Sequence, residues 1–411
     1  MRRRTLLGGA LLALVIAGCG GGGKTASTST ADDFAAGGAN VVAVTLDSGP
    51  DGQGTINTLY TSVTLCQSGT SICVTVPDVQ VDTGSSGLRI LASALSGGGV
   101  TLTPMSDASD GSRSIGECLA FASSYLWGPV ATADVTLGGE SASAIPVQII
   151  DDSGGFTPAP EACSSEGTSL NSQGNLGANG VLGVGLFDKD CDAYCATVAA
   201  NNFYFSCSAS GCSQTTLALA SQVSNPVASF ATDNNGVILQ LPGITSAGAA
   251  TASGYLVFGI GTETNNALAS SARVLTTNAE GFFTTTFNGQ SLDQSFIDSG
   301  SNGYFFPDSA LPGCAEATDF YCPATLTSLS ASNEGQNGTT ISTSFQVANL
   351  DALDYAYYAF DDVGGTSGDF SNFTSSTGIF DWGVPFFFGR TVFTAIEGRT
   401  AGRATGPYFA Y

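Results

Sequence analysis

Two segments of this chain, Val79–Ile90 (VQVDTGSSGLRI) and Ser295–Phe306 (SFIDSGSNGYFF), repeat one design. In each, an apolar run enters Asp-[Thr/Ser]-Gly-Ser, a glycine follows two residues on, and apolar residues resume. Each reads as a strand that delivers a carboxylate to a tight turn. Glycine lets the chain bend against the acid, and flanking hydroxyls can bond its oxygens. A chain that does this once in each half is constrained to two similar β-units with one acid turn apiece. The tripeptide alone is weak evidence, since it occurs four times. Asp47-Ser48-Gly49 runs into Pro50 and Asp152-Ser153-Gly154 into Gly155, so neither carries the following serine, and both read as surface turns.

The 411 residues contain no histidine, which excludes Ser-His-Asp and Cys-His nucleophiles and His-ligated zinc. Carboxylates are left to do any proton transfer. A formal net charge of −23 repels phosphate backbones and anionic lipid, so nucleic-acid binding is not expected. With 54 glycines, 43% hydrophobic and 11% charged residues, the chain lacks the charge that long exposed helices carry and reads as all-β.

The N-terminus reads as an export signal: Arg2, Arg3 and Arg4, an apolar stretch from Leu6 to Ala17, then Ile16-Ala17-Gly18-Cys19. It resembles a bacterial lipobox. That resemblance implies a signal peptide over residues 1–19, lipidation of Cys19 and a flexible Gly/Ser/Thr/Ala tether over residues 20–39. The Arg-Arg pair also permits twin-arginine export. The expected location is the bacterial cell envelope, with the body in the periplasm or at the cell surface and the membrane met through the lipid anchor.

Of eleven cysteines, setting Cys19 aside leaves ten, an even number suited to five disulfides in an oxidising compartment. Spacing suggests Cys66 with Cys73, Cys191 with Cys195, Cys207 with Cys212 and Cys314 with Cys322, which leaves Cys118 for Cys163. Exchange of partners between the 191/195 and 207/212 pairs stays open on sequence grounds.

Short apolar or alternating runs predict strands at Val41–Leu46, Leu59–Leu65, Ile72–Val76, Val79–Val81, Val130–Leu137 and Ile145–Ile150. The second half continues with Val237–Leu241, Tyr255–Ile260, Gly281–Phe287, Ser295–Ile297, Thr340–Val347, Tyr355–Phe360 and Val384–Phe388. Short helices are expected at Leu91–Leu95, Ala193–Ala200 and Thr216–Gln222. The pattern divides into an N-terminal unit over residues 40–230 and a C-terminal unit over 231–411.

Nearly the whole mature chain is similar to the pepsin-like aspartic proteases. Beyond the acid turns, Phe121–Gly139 resembles the hairpin flap that covers substrate in that family, which implies that Phe121 overhangs the cleft from a hairpin with its tip near Tyr125–Pro129. Asn179–Gly185 (NGVLGVG) resembles the strand that supports the first acid turn, and Trp382–Phe393 its counterpart for the second. Leu219–Thr232 with Tyr255–Gly261 looks like the crossing between the two halves. The resemblance implies a bilobal fold, two β-barrel-like lobes with a cleft between them, and an exported bacterial branch of largely unassigned function.

By that resemblance Asp82 and Asp298 would share one proton and activate a water to hydrolyse peptide bonds. Thr83 and Ser299 would tie the turns together, Ser85 and Ser301 would bond the outer carboxylate oxygens, and Gly84 and Gly300 would admit close backbone. The family's flap tyrosine falls on Phe121 and its tryptophan partner on Arg89. Either Tyr125 or Trp127 would then serve a rebuilt flap, or the chain is a catalytically silent lipoprotein that binds peptides or proteins. A monomer is expected, acting on a peptide or protein substrate, without metal or cofactor.

Overall fold

The computed structural model describes residues 28–30, 38–52, 54–369 and 378–411. The expected signal peptide and its Cys19 lie outside the described residues. Within the expected tether, Thr28–Thr30 forms a short strand parallel to Thr251–Ser253.

Strand accounts for 43% of the chain and helix for 11%, which makes the protein all-β. Among the described residues the strands form a 17-stranded sheet, a 7-stranded sheet and a two-stranded ribbon. The larger sheet draws on both halves. Val41–Leu46 pairs antiparallel with Thr251–Phe258, which pairs with Gly236–Gln240, which in turn pairs with Thr391–Ala395 beside Tyr408–Ala410. The smaller sheet uses only strands between Phe283 and Trp382. The sheets therefore do not divide where the sequence pattern does, at 230/231. Strands on either side of the smaller sheet return to the larger one.

The same local arrangement surrounds each acid turn. Cys73–Asp82 leads into the first, and Ser86–Leu91 leads out. Gly180–Val184 lies between these arms, parallel to the first and antiparallel to the second. Around the second turn, Ile379–Trp382 lies parallel to Gln290–Ile297 and antiparallel to Tyr304–Phe305. Leu182 is opposite Val81 as Trp382 is opposite Ile297. The supporting strands are fully buried, as continuous apolar runs predict.

One large apolar core runs through both halves, from Val44 and Leu46 to Trp382 and Phe409. Its second half is aromatic: Phe380 stacks on Phe306 and on Trp382, with centroids 4.9 Å and 4.1 Å apart. All five disulfides form with the partners that spacing suggested.

Several expected elements differ. Ile72–Val76 and Val79–Val81 are parts of one strand. Leu91 ends a strand, and a 3-10 turn over Ala92–Gly98 follows it. The expected helix at Ala193–Ala200 is Asp192–Thr197, and that at Thr216–Gln222 is a single 3-10 turn, Leu219–Ser221. Tyr355–Phe360 is not a strand, because Asp354 caps a turn there through the Ala356 N–H at 3.1 Å. Val384–Phe388 is not a strand either: Pro385 fixes φ and lacks an N–H, and Val384–Phe387 forms a 3-10 turn.

Candidate active site

The two acid turns face each other at the meeting of the sheets. Thr83 and Ser299, 216 residues apart, form the bridge: Thr83 N–H donates to Ser299 Oγ at 3.1 Å, and Ser299 N–H donates to Thr83 Oγ1 at 2.9 Å. The hydroxyls then reach across to backbone carbonyls, Ser299 to Val81 O at 2.8 Å and Thr83 to Ile297 O at 3.4 Å. Each hydroxyl thus accepts from one chain segment and donates to the strand behind it, which fixes both turns in one frame.

This frame sets the Asp82 and Asp298 carboxyl groups side by side, close enough to interact. Glycine is needed at both turns because each backbone packs against the other turn's acid. A Cβ on Gly300 would lie 2.6 Å from Asp82 Oδ1, and one on Gly84 would lie 2.6 Å from Asp298 Oδ1.

The oxygens of the two acids are not served equally. Asp82 Oδ1 accepts from the N–H groups of Gly84 and Ser85 at 2.8 and 3.1 Å, and Oδ2 from Ser85 Oγ at 2.5 Å. Asp298 Oδ1 accepts from Gly300 N–H at 2.6 Å, while Oδ2 lies 3.0 Å from Ser301 Oγ. Burial raises the pKa of both acids. For Asp82 the hydrogen bonds oppose that rise. For Asp298 the negative charges of Asp82 and Asp381 add to it, so it lies well above the usual carboxylate range. Asp298 is therefore shifted upward further than Asp82, and the two acids titrate as one pair.

Three polar groups that sequence reasoning missed complete the site. Gln80 Nε2 donates to Gly300 O at 3.0 Å, and Asn57 Nδ2 donates to Asn302 O at 2.9 Å, so first-half side chains brace the second turn. Asp381, wholly buried, lies 2.5 Å from Ser301 Oγ. An aspartate inside the apolar run Ile379–Phe388 was the one sequence signal that could have drawn attention to it.

The hairpin read as a flap differs from expectation. Its strands are Ser114–Ala120 and Ser124–Leu137, and Phe121 N–H donates to Ser124 O at 2.8 Å, so the tip is at residues 121–123 rather than near Tyr125–Pro129. Phe121 does not overhang an open cleft. It is 2% exposed among Tyr60, Leu119, Leu126 and Leu176. Ala122 reaches the other half and packs with Phe282, Phe296 and Phe305. Tyr125 and Trp127 point to the opposite face, by the alternation of a strand, and pack around the Cys118–Cys163 disulfide. Trp127 also donates its indole N–H to Thr157 O at 2.7 Å, which makes it a structural residue. Both acids are closed off, Asp82 being 2% exposed and Asp298 0%.

Arg89 is wholly buried as well. Its Nη2 meets Glu117 at 2.6 Å and Asp190 at 3.2 Å, and its Nη1 donates to Ser86 O and Gly87 O at 3.0 and 3.3 Å. It thereby ties the first acid turn to the hairpin strand that carries Glu117. Burial would lower the pKa of Arg89, but Glu117 and Asp190 hold it charged.

The turns of Asp47 and Asp152 are only half-buried: Asp47 Oδ1 accepts from Gly49 N–H at 2.8 Å, and Asp152 Oδ1 from Ser93 N–H at 3.0 Å. The cluster Cys314, Cys322 and Asp351 has metal-like spacing, but its two sulfurs are joined in a disulfide and supply no thiolate. A surface hollow of about 450 Å³ lies on the ribbon Thr327–Val347, lined by Ser328, Ser330, Phe345 and Gln346, and includes neither acid. No curated protein matches the chain. Its membership is given by a family model that matches residues 36–411: the chain belongs to the family described as Protein of unknown function (DUF3443).

Proposed function

We propose that this protein is an aspartic endopeptidase of the pepsin-like kind, a bilobal fold with its cleft under the 121–123 hairpin tip. The observation that carries the reading is the Asp82–Asp298 pair, held in contact by the reciprocal Thr83–Ser299 bonds. In the reaction, Asp82 takes a proton from water as its oxygen attacks the peptide carbonyl carbon. Asp298 gives its proton to the carbonyl oxygen to form a diol; on collapse one diol hydroxyl returns its proton to Asp298 while the Asp82 proton goes to the leaving nitrogen, which restores the pair. In this reading the hairpin, whose tip packs against the other half through Ala122, has to lift before a substrate can enter.

Incubation with a peptide library between pH 3 and 7 tests this. Wild type should cleave, and Asp82→Asn and Asp298→Asn should each be inactive with unchanged melting. Equal cleavage by wild type and both variants would overturn the reading. The second reading, a silent lipoprotein that binds peptides, is favoured by the closure: Ala122 is 3% exposed against the other half. It predicts saturable peptide binding without cleavage.

Export and anchoring at Cys19 belong to the same proposal, with the body in the cell envelope. Among the described residues no helix is long and apolar enough to cross a membrane. Cell fractionation of Cys19→Ala should move the protein out of the membrane pellet.

A further inference from the structure

The second acid turn carries a third carboxyl group that the first lacks. Asp381 lies on the supporting strand, opposite Phe296 on one side and Phe305 on the other. By register its counterpart beside the first turn is Val181, which packs into an apolar cluster. Ser85 therefore has one acid to serve, while Ser301 has two: Asp298 Oδ2 at 3.0 Å and Asp381 Oδ2 at 2.5 Å.

A hydroxyl has one hydrogen. If Ser301 donates to Asp298, its contact with Asp381 requires an O–H on Asp381. If it donates to Asp381, Asp298 has to supply the hydrogen instead. The surroundings decide between these. Asp381 is 0% exposed, and among the described residues its Oδ1 has no hydrogen-bond partner. The titratable groups facing it are Asp298 from its own side and Asp82 from across the site, both acids and neither a source of positive charge. Tyr304, on the adjacent strand, engages Arg390, and Asp293, on the other adjacent strand, is exposed. An ionised Asp381 would be a buried charge with no compensating cation, and burial accordingly raises its pKa well above the usual range.

We propose that Asp381 is a neutral acid that donates to Ser301 and thereby turns the Ser301 hydrogen onto Asp298, a positioning residue that sets the protonation of the pair. When Asp381 ionises, Ser301 turns its hydrogen to Asp381, Asp298 loses that donor, and a second negative charge stands beside the pair. The ionisation of Asp381 is then the step that ends activity on the basic side. This rests on the protease reading above for its kinetic consequence, but not for the proton itself.

Two measurements separate the two claims. Infrared difference spectra of wild type minus Asp381→Asn, both in the Asp82→Asn background, report the protonated carboxyl directly and need no turnover. A carboxylic-acid carbonyl band at pH 7 is expected, and its absence overturns the proposal. In the otherwise wild-type enzyme, Asp381→Asn should move the basic limb of kcat/KM by at least one pH unit, roughly a tenfold gain at the upper edge. Superimposable pH profiles overturn the positioning role. A band present without cleavage at any pH removes the protease reading and leaves the neutral Asp381 in place. Should Asp381→Asn not fold, Asp381→Val, which copies the apolar neighbour of the first turn, carries the same comparisons.

Discussion

Thr83 and Ser299 exchange hydrogen bonds across 216 residues of sequence, each hydroxyl accepting the other's backbone N–H within 3.1 Å. Both are buried, so the loss of either hydroxyl strands two N–H or C=O groups at the centre of the molecule. Thr83→Val and Ser299→Ala should each cost about 1–3 kcal/mol in urea unfolding. The double variant should cost less than the two together, with a coupling of about 0.5–3 kcal/mol. Strict additivity would show that the turns are held by something else.

The hairpin read as a flap is stapled at Cys118, on its first strand, to Cys163. This disulfide closes the longest loop of the five, 45 residues against 4 to 8 for the others. Loop-closure entropy then gives it the largest effect, about 4 kcal/mol against about 2 kcal/mol for a five-residue loop. Cys118→Ala with Cys163→Ala should lower the melting temperature more than loss of Cys207–Cys212. The reverse order would mean that denatured-state entropy does not govern these bridges.

What the sequence made legible was local. Acid, glycine and serine sit within four residues of one another, and four disulfides close loops of eight residues or fewer, so neighbours in sequence are neighbours in space. What stayed hidden depends on register between distant strands. That Asp381 meets Ser301, and that Arg89 meets Glu117 and Asp190, follows from pairings no local pattern encodes. The hairpin tip was misplaced for a related reason. Phe121–Gly139 matches the flap as one gapless hairpin, while the turn is set by the Phe121–Ser124 bond just at its start. Val384–Phe388 could have been read correctly, because Pro385 argues against a strand interior.

Phe121 occupies an apolar cluster, and this distinguishes it from a side chain that faces a cleft. Phe121→Tyr adds a hydroxyl at a site 2% exposed. We expect a loss of about 1–3 kcal/mol of stability from the desolvated hydroxyl. A neutral or stabilising change would show that the ring edge meets water or a polar partner when the hairpin moves.

Arg89 is one buried cation between two buried acids, so the cluster holds one carboxyl too many to be neutral with both ionised. Burial and the neighbouring Glu117 push Asp190 well above its ordinary range, against the opposing pull of Arg89 and the Tyr204 hydroxyl, and we expect Asp190 to be the acid that keeps its proton. Arg89→Leu should destabilise by about 3–5 kcal/mol, since Glu117 loses the cation paired with it. Asp190→Asn should cost about 1 kcal/mol or less, because an amide replaces an acid that is already neutral. Equal losses from the two variants would indicate that both acids are ionised.

Stability should fall as pH rises from mildly acidic to mildly basic. Burial, and then the charge of Asp361, push Asp362 up to about 7, and among the described residues neither of its carboxyl oxygens has a hydrogen-bond partner. In the unfolded chain an aspartate titrates near 3.9. Between about pH 4 and about 7 the folded protein thus binds a proton that the unfolded chain does not, and the unfolding free energy decreases with pH. That contribution is complete below the unfolded value and lost as pH passes the folded one. Asp298, Asp381 and Asp190, all raised first by burial, act in the same direction. At the acid end Asp134 acts oppositely: burial would raise it, but the N–H groups of Gly69 and Ala144 hold it low, so its contribution is lost as pH falls through its folded value. The melting temperature should therefore peak in mild acid and decline from pH 5 to 8, and Asp362→Asn should flatten the decline around pH 7. A melting temperature that climbs steadily from pH 5 to 8 would mean that these carboxyl groups are ionised in the folded protein. The proton assignments at Asp298 and Asp381 would then fall with it.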